Sequence, residues 1–153
     1  QYENDLKHGR CCRFHRDGSR DWEKTFLHDS MTTYVVYPHY EIERLWVFFE
    51  EDKTEISNEF QEKLDEFIAK AKAQKELPIR IQGYNGFDEV SNLSFNRTKK
   101  VYYYMIKAGI ASERITMLSY EDFRPVMTKQ KAAQSKVNKN RRVEVYLVTE
   151  VEL

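Results

Sequence analysis

The sequence predicts an α+β fold, an α/β sandwich in which a mixed β-sheet is covered by helices on one face. Three observations predict it: apolar runs of strand length, two amphipathic stretches of helical length, and their regular alternation from Glu41 onward. Written along the chain, the predicted order is β-α-β-α-β-(α)-β. The first two connections are long enough for right-handed βαβ crossovers.

The individual elements follow from local patterns. Residues 44–49 contain an apolar run at 45–49 and are predicted to form a strand buried on both faces. Residues 142–148 alternate between apolar and polar side chains, which is typical of a strand. Apolar positions recur at helical spacing between residues 56 and 71, after a predicted N-cap at Ser57. The other predicted elements are strands at 79–82 and 115–119, helices at about 91–108 and within 128–137, and an additional edge strand at 34–37.

The chain divides into two parts by texture. Residues 1–40 show no long periodicity and are predicted to be an irregular N-terminal extension, whereas residues 41–153 are predicted to form one folded domain. The extension is rich in arginine and in aromatic residues of the types that anchor protein interfaces, so we expect it to bind a protein partner. These aromatic residues are Trp22, Phe26, Tyr34, Tyr37 and Tyr40.

Composition argues against several functions. The 25 Lys and Arg residues balance the 25 Asp and Glu residues, and a dedicated nucleic-acid-binding domain is expected to be clearly basic. No apolar run approaches the roughly 18 residues of a membrane-spanning helix. No nucleophile motif or phosphate-binding loop is present, so we expect no catalytic residues, no enzyme activity and no cofactor. The chain begins at Gln1 without a visible signal peptide, which suggests a mature or trimmed product.

Two smaller features have ordinary explanations as well as functional ones. Cys11, Cys12, His15 and His28 are of zinc-ligating types, but their spacing matches no common structural zinc motif, so no metal site is predicted. Eight acidic residues lie between positions 50 and 66, and six basic residues lie between 129 and 142. Such segregated charge can serve partner docking, or it can simply be solvated surface.

Four segments, in order, resemble the OmpA-like C-terminal domain family of Gram-negative envelope proteins. Residues 47–56 resemble the family's strand-to-helix opening, and residues 83–86 stand where the family has Gly-x-Thr-Asp. Residues 93–97 match its Leu-Ser-x-x-Arg, and residues 140–144 match its closing Asn-Arg-Arg-Val-Glu. The resemblance covers about two-thirds of the chain.

The resemblance implies a non-catalytic module that binds the peptide stem of peptidoglycan through its diaminopimelate. It assigns the carboxylate of that ligand to Arg97, since a guanidinium can hold a carboxylate with two parallel hydrogen bonds. The other ligand-binding residues that it implies are Asp88, Asn85, Leu93 and Ser94.

Two departures from the family pattern leave an alternative open. Gly86 stands where the family has its aspartate, and the loop from Gly83 to Leu93 is shorter than is usual in the family. Asp88 is a candidate replacement for the missing carboxylate. Alternatively, Arg97 pairs with a local carboxylate, either Asp88 or Glu89, and the domain is a scaffold that has lost peptidoglycan binding.

The sequence therefore predicts a periplasmic, outer-membrane-associated structural subunit of a Gram-negative bacterium. We expect it to tether an envelope complex, such as a secretion-system core, to peptidoglycan. Residues 1–40 are expected to contact other subunits of that complex. Loss of peptidoglycan binding, with function through protein contacts alone, is the alternative.

Overall fold

A computed structural model of the chain describes residues 2–3, 6–7, 9–14, 20–27, 30–36, 39–90 and 92–150. The chain divides into two compact units, one made of residues 1–41 with 148–153 and the other of residues 42–147. Four residues named above lie outside the described residues: Gln1, His15, His28 and Tyr37. Residue 91, at the start of the expected second helix, also lies outside them.

The described part of the N-terminal extension forms strands, so the expectation of an irregular segment is wrong. Its strands are β1 (Tyr2–Glu3), β2 (Leu6–Lys7), β3 (Gly9–Phe14), β4 (Arg20–Leu27) and β5 (Ser30–Val36). β1 pairs with β2, and β3, β4 and β5 form an antiparallel sheet. The pairing register shifts between Thr25 and Phe26. Such a shift breaks the two-residue alternation by which strands are recognised in a sequence. Residues 34–36 of the expected edge strand at 34–37 belong to β5 of this sheet and not to the main sheet, and residue 37 lies outside the described residues.

The remaining elements alternate as the sequence predicts. They are β6 (His39–Phe48), α1 (Asn58–Ala73), β7 (Ile79–Tyr84), α2 (Leu93–Lys107), β8 (Ile115–Ser119), α3 (Lys129–Gln134) and β9 (Arg142–Glu150). The four strands form one sheet in the order β6-β9-β7-β8. β7 runs parallel to β8 and antiparallel to β9, which confirms the mixed sheet.

One face of this sheet and the two long helices share a single apolar core. β7 contributes Ile79 and Ile81, and β9 contributes alternate residues that include Val145. From the helices, the fully buried side chains include Leu64 of α1 and Val101 of α2. Both helices therefore pack on the same face of the sheet, as the sequence predicts.

The opposite face of the sheet carries buried polar side chains instead. Arg142 Nε donates a hydrogen bond of 2.6 Å to Glu144 Oε1, and both residues are fully buried. The other oxygen of Glu144 accepts a hydrogen bond from the Tyr146 hydroxyl. Burial, together with this hydrogen bond and the nearby negative charge, raises the pKa of Tyr146. The Arg142 guanidinium also stacks 3.8 Å from the centre of the Tyr84 ring.

Candidate functional site

The side chain assigned to ligand binding, Arg97, is fully buried and bound within the chain. It lies in the second turn of α2, and its Nη1 and Nη2 atoms donate to the two carboxylate oxygens of Glu89 at 2.7 and 2.6 Å. Nη2 also donates to the Glu50 carbonyl at 3.1 Å, and Nε donates to the Lys53 carbonyl at 2.9 Å. Four of the five N–H groups of a guanidinium are therefore used by the protein itself.

The Glu89 carboxylate receives hydrogen bonds from more than Arg97. The Gly86 N–H donates to one oxygen at 2.7 Å, and the Asp52 N–H donates to the other at 3.1 Å. Arg141 Nε lies 3.4 Å from the second oxygen. The side chain of Glu89 is only 1% exposed, so this carboxylate is almost completely enclosed by donors.

These contacts explain the charge state of Glu89. Burial by itself raises the pKa of a carboxyl group, because it disfavours the charged form. Here the hydrogen bonds from Arg97 and from the Gly86 N–H outweigh burial, so the pKa of Glu89 lies below its ordinary value of 4.5. The Arg97–Glu89 pair is thus a charged pair with bidentate geometry, the strongest form of this interaction.

Asp88, the candidate replacement for the family aspartate, points to a different arginine. Its carboxylate lies 3.4 Å from Arg141 Nη2, and its side chain is 60% exposed. The Glu51 carboxylate lies 3.3 Å from the same nitrogen. Of the two local carboxylates considered for Arg97, the structure therefore pairs Glu89 with it.

The three other residues implied by the family resemblance support the local structure. Asn85 donates from its side-chain amide to the Val90 carbonyl at 2.9 Å, which closes the turn that carries Glu89. The hydroxyls of Ser94 and Ser119 are 2.5 Å apart, so Ser94 joins the start of α2 to the end of β8. Leu93 is buried at the first position of α2.

In the closing Asn-Arg-Arg-Val-Glu segment, some side chains stabilise the fold and another faces the candidate site. The Asn140 side chain accepts from the N–H groups of Val126 and Met127 and donates to the Met127 carbonyl, which fastens the loop before α3. Arg142 belongs to the buried polar face of the sheet. Only Arg141 faces the candidate site, and its side chain is 13% exposed.

Two clefts meet at Arg141. One, of about 540 Å³, has apolar walls that include Phe48 and Phe60. The other, of about 600 Å³, is polar and includes Asp88 in its lining. Lys136 also borders both clefts. The open space of the site therefore lies beside Arg141, whereas Arg97 is sealed behind Glu89.

Sequence reasoning missed part of this arrangement. Arg141 stood within a quoted motif but was not assigned to the site, although its position beside the strand that carries Arg142 was a usable signal. The amide groups of Gly86 and Asp52 were also missed, because backbone donors carry no residue-type signal. A positive φ of 54° at Asp52 cannot be inferred from that residue type.

The cysteines form no metal site with the residues described. Both are free thiols, and Cys12 Sγ lies 3.7 Å from a Glu23 carboxylate oxygen. Within the described ranges, no three His, Cys, Asp or Glu side chains are grouped so that they could hold a metal ion. In the same ranges, no helix is both long enough and apolar enough to cross a membrane.

The two helices on one face of a mixed sheet, with a buried arginine–glutamate pair beside the first turns of α2, define a small α/β-sandwich domain. The family model for the OmpA family matches residues 48–141, which is more than half of the sequence. The chain belongs to the OmpA family. No curated protein sequence is significantly similar to it.

Three solved structures illustrate the proteins that share this fold. The OmpA-like domain of FopA1 from Francisella tularensis has a TM-score of 0.60 and 18% identity, over 99% of this chain and 90% of that one. The peptidoglycan-associated lipoprotein of Burkholderia pseudomallei has a TM-score of 0.58 and 19% identity, over 68% of this chain and 89% of that one. The cell wall anchor of the type VI secretion system of Pseudomonas aeruginosa has a TM-score of 0.56 and 15% identity, over 90% of this chain and 86% of that one.

Proposed function

We propose that this chain is a non-catalytic structural module of the periplasm that acts through protein contacts and does not bind peptidoglycan in its resting form. One observation carries the proposal. The Arg97 guanidinium, which the family resemblance assigns to the ligand carboxylate, is held by Glu89 of the same chain at 2.6 and 2.7 Å. A ligand carboxylate would have to displace a tethered carboxylate that is already desolvated and hydrogen-bonded.

The proposed setting is an outer-membrane-associated complex of a Gram-negative envelope. Support comes from the fold, which is shared with a peptidoglycan-associated lipoprotein and with a cell wall anchor of a secretion system. We propose that the complex is itself a secretion-system core, such as that of a Dot/Icm type IV system, and that residues 1–40 contact its other subunits. Trp22 and Phe26 of β4 are half-buried aromatic side chains of the kind that anchor such contacts.

Peptidoglycan tethering is the second candidate. It is favoured by the two clefts that meet at Arg141, because this side chain has long ion pairs of 3.3 and 3.4 Å to exposed carboxylates of Glu51 and Asp88. Contacts of that length to exposed partners are weak and can be exchanged for a ligand group. In this reading Arg141, and not Arg97, would take the carboxylate of the peptide stem.

Sedimentation with insoluble peptidoglycan sacculi separates the two candidates. We expect the wild-type chain to stay in the supernatant, while the Burkholderia pseudomallei lipoprotein, as a positive control, is pelleted. Sedimentation of the wild type that is abolished by Arg141→Ala would contradict the proposal and support tethering. Lys107→Ala, at the exposed end of α2, is the matched control for loss of a positive charge.

A further inference from the structure

The donors around Glu89 form a complete binding cradle for one carboxylate group. One oxygen accepts from Arg97 Nη1 and from the Gly86 N–H, and the other accepts from Arg97 Nη2 and from the Asp52 N–H. Arg141 Nε is a third contact of the second oxygen, at 3.4 Å. None of these donors depends on the identity of the molecule that supplies the carboxylate.

The backbone of the cradle supplies donors as well. Asp52 lies in a turn and has a φ of 54°, in the left-handed region, which aspartate adopts more readily than most other non-glycine residues. In this conformation its N–H is one of the donors to Glu89. The cradle therefore presents main-chain donors to an anion as well as its arginines.

The occupant is carried on a short turn that has an exposed residue on either side of Glu89. Asp88 and Val90, on either side of Glu89, are 60% and 64% exposed. A weak turn hydrogen bond of 3.4 Å joins the Glu89 N–H to the Gly86 carbonyl. Phe87 and Asp88 also line the 600 Å³ cleft, so open space adjoins the turn on the side of Arg141.

We propose that this cradle is a carboxylate-binding site in which Glu89 acts as a tethered internal ligand. A small carboxylate from outside can occupy it only when the turn of residues 86–90 withdraws Glu89. The inference deepens the proposed function and rests on it in one respect, namely that the resting site is closed. The contact is thus autoinhibitory, and the ligand class that it excludes is a small molecule or peptide with a free carboxylate.

Tethering explains why the closed state dominates. A group attached through a short linker competes at an effective concentration in the millimolar range or above. An outside carboxylate binds only the fraction of molecules in which the turn is open, so its apparent affinity is reduced by that fraction. Removal of the Glu89 carboxylate should abolish this competition without removing a single donor.

Chemical rescue of Glu89→Ala by acetate tests the inference. This substitution deletes a CH₂–COO⁻ group, and acetate supplies nearly the same atoms. We expect the variant to have a lower Tm than the wild type and to gain about 3 °C or more in saturating acetate over chloride of equal ionic strength. The wild type and the exposed-site control Glu62→Ala should not respond, and Glu89→Ala with Arg97→Ala should lose the response.

Two outcomes overturn the inference. One is a folded Glu89→Ala variant whose Tm is the same in acetate and chloride; the other is an equal acetate response in the double variant. If Glu89→Ala does not fold, Glu89→Gln is used, because it keeps the shape of the side chain but loses its charge. Acetate should then shift the NMR signals of the Gly86 amide and Arg97 Nε at concentrations at least tenfold lower than in the wild type, and equal shifts in both proteins contradict the inference.

The rescue and the sacculi experiment fail independently. Sedimentation of the wild type would contradict the proposed function whether or not acetate binds Glu89→Ala. If acetate does not rescue Glu89→Ala, the expected failure of the wild type to sediment with sacculi is unaffected. The enclosure of Glu89 would then be purely structural.

Discussion

At the scale of single residues, the site is defined by how Arg97 and Glu89 share their hydrogen bonds. Arg97 binds the carbonyls of Glu50 and Lys53 as well as Glu89, so it joins the segment after β6 to the turn after β7. The motif in the sequence indicates Arg97 as a ligand-binding residue, and that role stays a prediction. It could not decide between the carboxylates of Asp88 and Glu89, because the inward side of a short turn depends on its backbone and not on a residue pattern.

The depressed pKa of Glu89 predicts how stability depends on pH. Because this pKa is lower in the folded chain than its ordinary value of 4.5, the carboxylate stabilises the fold fully above that value. The contribution is lost as pH falls below 4.5 and through the folded pKa. We therefore expect the difference in unfolding free energy between wild type and Glu89→Gln to be largest near neutral pH and to shrink towards pH 3, as measured by urea denaturation. The lowered pKa of Glu89 would be contradicted if this free-energy difference stayed constant over the pH range. It would also be contradicted if Glu62→Gln showed the same dependence on pH.

At the scale of elements, the close approach of β7 and α2 positions the site. Gly83 lies near the end of β7, where a Cβ atom would lie 2.1 Å from Thr98 Oγ1 and 2.3 Å from the Ser94 carbonyl oxygen. Only glycine at this position allows β7 and α2 to approach so closely. The start of α2 therefore packs directly against the sheet. The turn that carries Glu89 is thereby held between two fixed elements.

Substitution of the two glycines of this segment tests that role. In Gly83→Ala the carbonyl of Ser94 cannot move without shifting α2, so we expect a loss of about 3 kcal/mol or more in unfolding free energy. The atoms nearest to a Cβ at Gly86 are side-chain atoms, namely Asp88 Oδ1 at 3.0 Å and Arg141 Nε and Cγ at 3.2 and 3.3 Å. Gly86→Ala should therefore cost about 1 kcal/mol or less. Comparable losses in both variants, measured by chemical denaturation, would show that the close approach is not limiting.

The elements of the main sheet could be predicted because their periodicity is strong. Apolar residues alternate in β9 and recur at helical spacing in α1 because each element buries one face, as at Val145 and Leu64. The strands of the first unit were missed because they carry little such signal. Among the described side chains between Gly9 and Thr33, none is buried, so these strands do not require apolar residues at every second position.

At the scale of the whole molecule, charges that are separated in the sequence meet in the second unit. The acidic segment of residues 50–66 and the basic segment of residues 129–142 come together where Arg141 lies 3.3 Å from a Glu51 carboxylate oxygen. Lys136 also borders a cleft with Glu50 and Glu55. Part of the charge segregation is therefore neutralised inside the unit, which weakens the case for docking to a charged partner.

The two compact units are expected to differ in stability. The second unit has an apolar core, whereas the described side chains of β3 and β4 are half-buried or exposed. The chain has two tryptophans, Trp22 in the first unit and Trp46 in the second. Fluorescence of Trp46→Phe, which retains Trp22, should report unfolding at a lower urea concentration than fluorescence of Trp22→Phe. Coincident transitions would mean that the chain unfolds as one cooperative body.

The enclosure of Arg97 by Glu89 also limits how this sequence can change over evolutionary time. Loss of either partner alone leaves an unpaired charge in the interior, at a cost of about 3–5 kcal/mol. Simultaneous replacement of both by apolar residues of similar volume can be nearly neutral. Descendants of this chain are therefore expected to keep both residues or to lose both, and a lineage that regains an open arginine must first pass through an unstable intermediate.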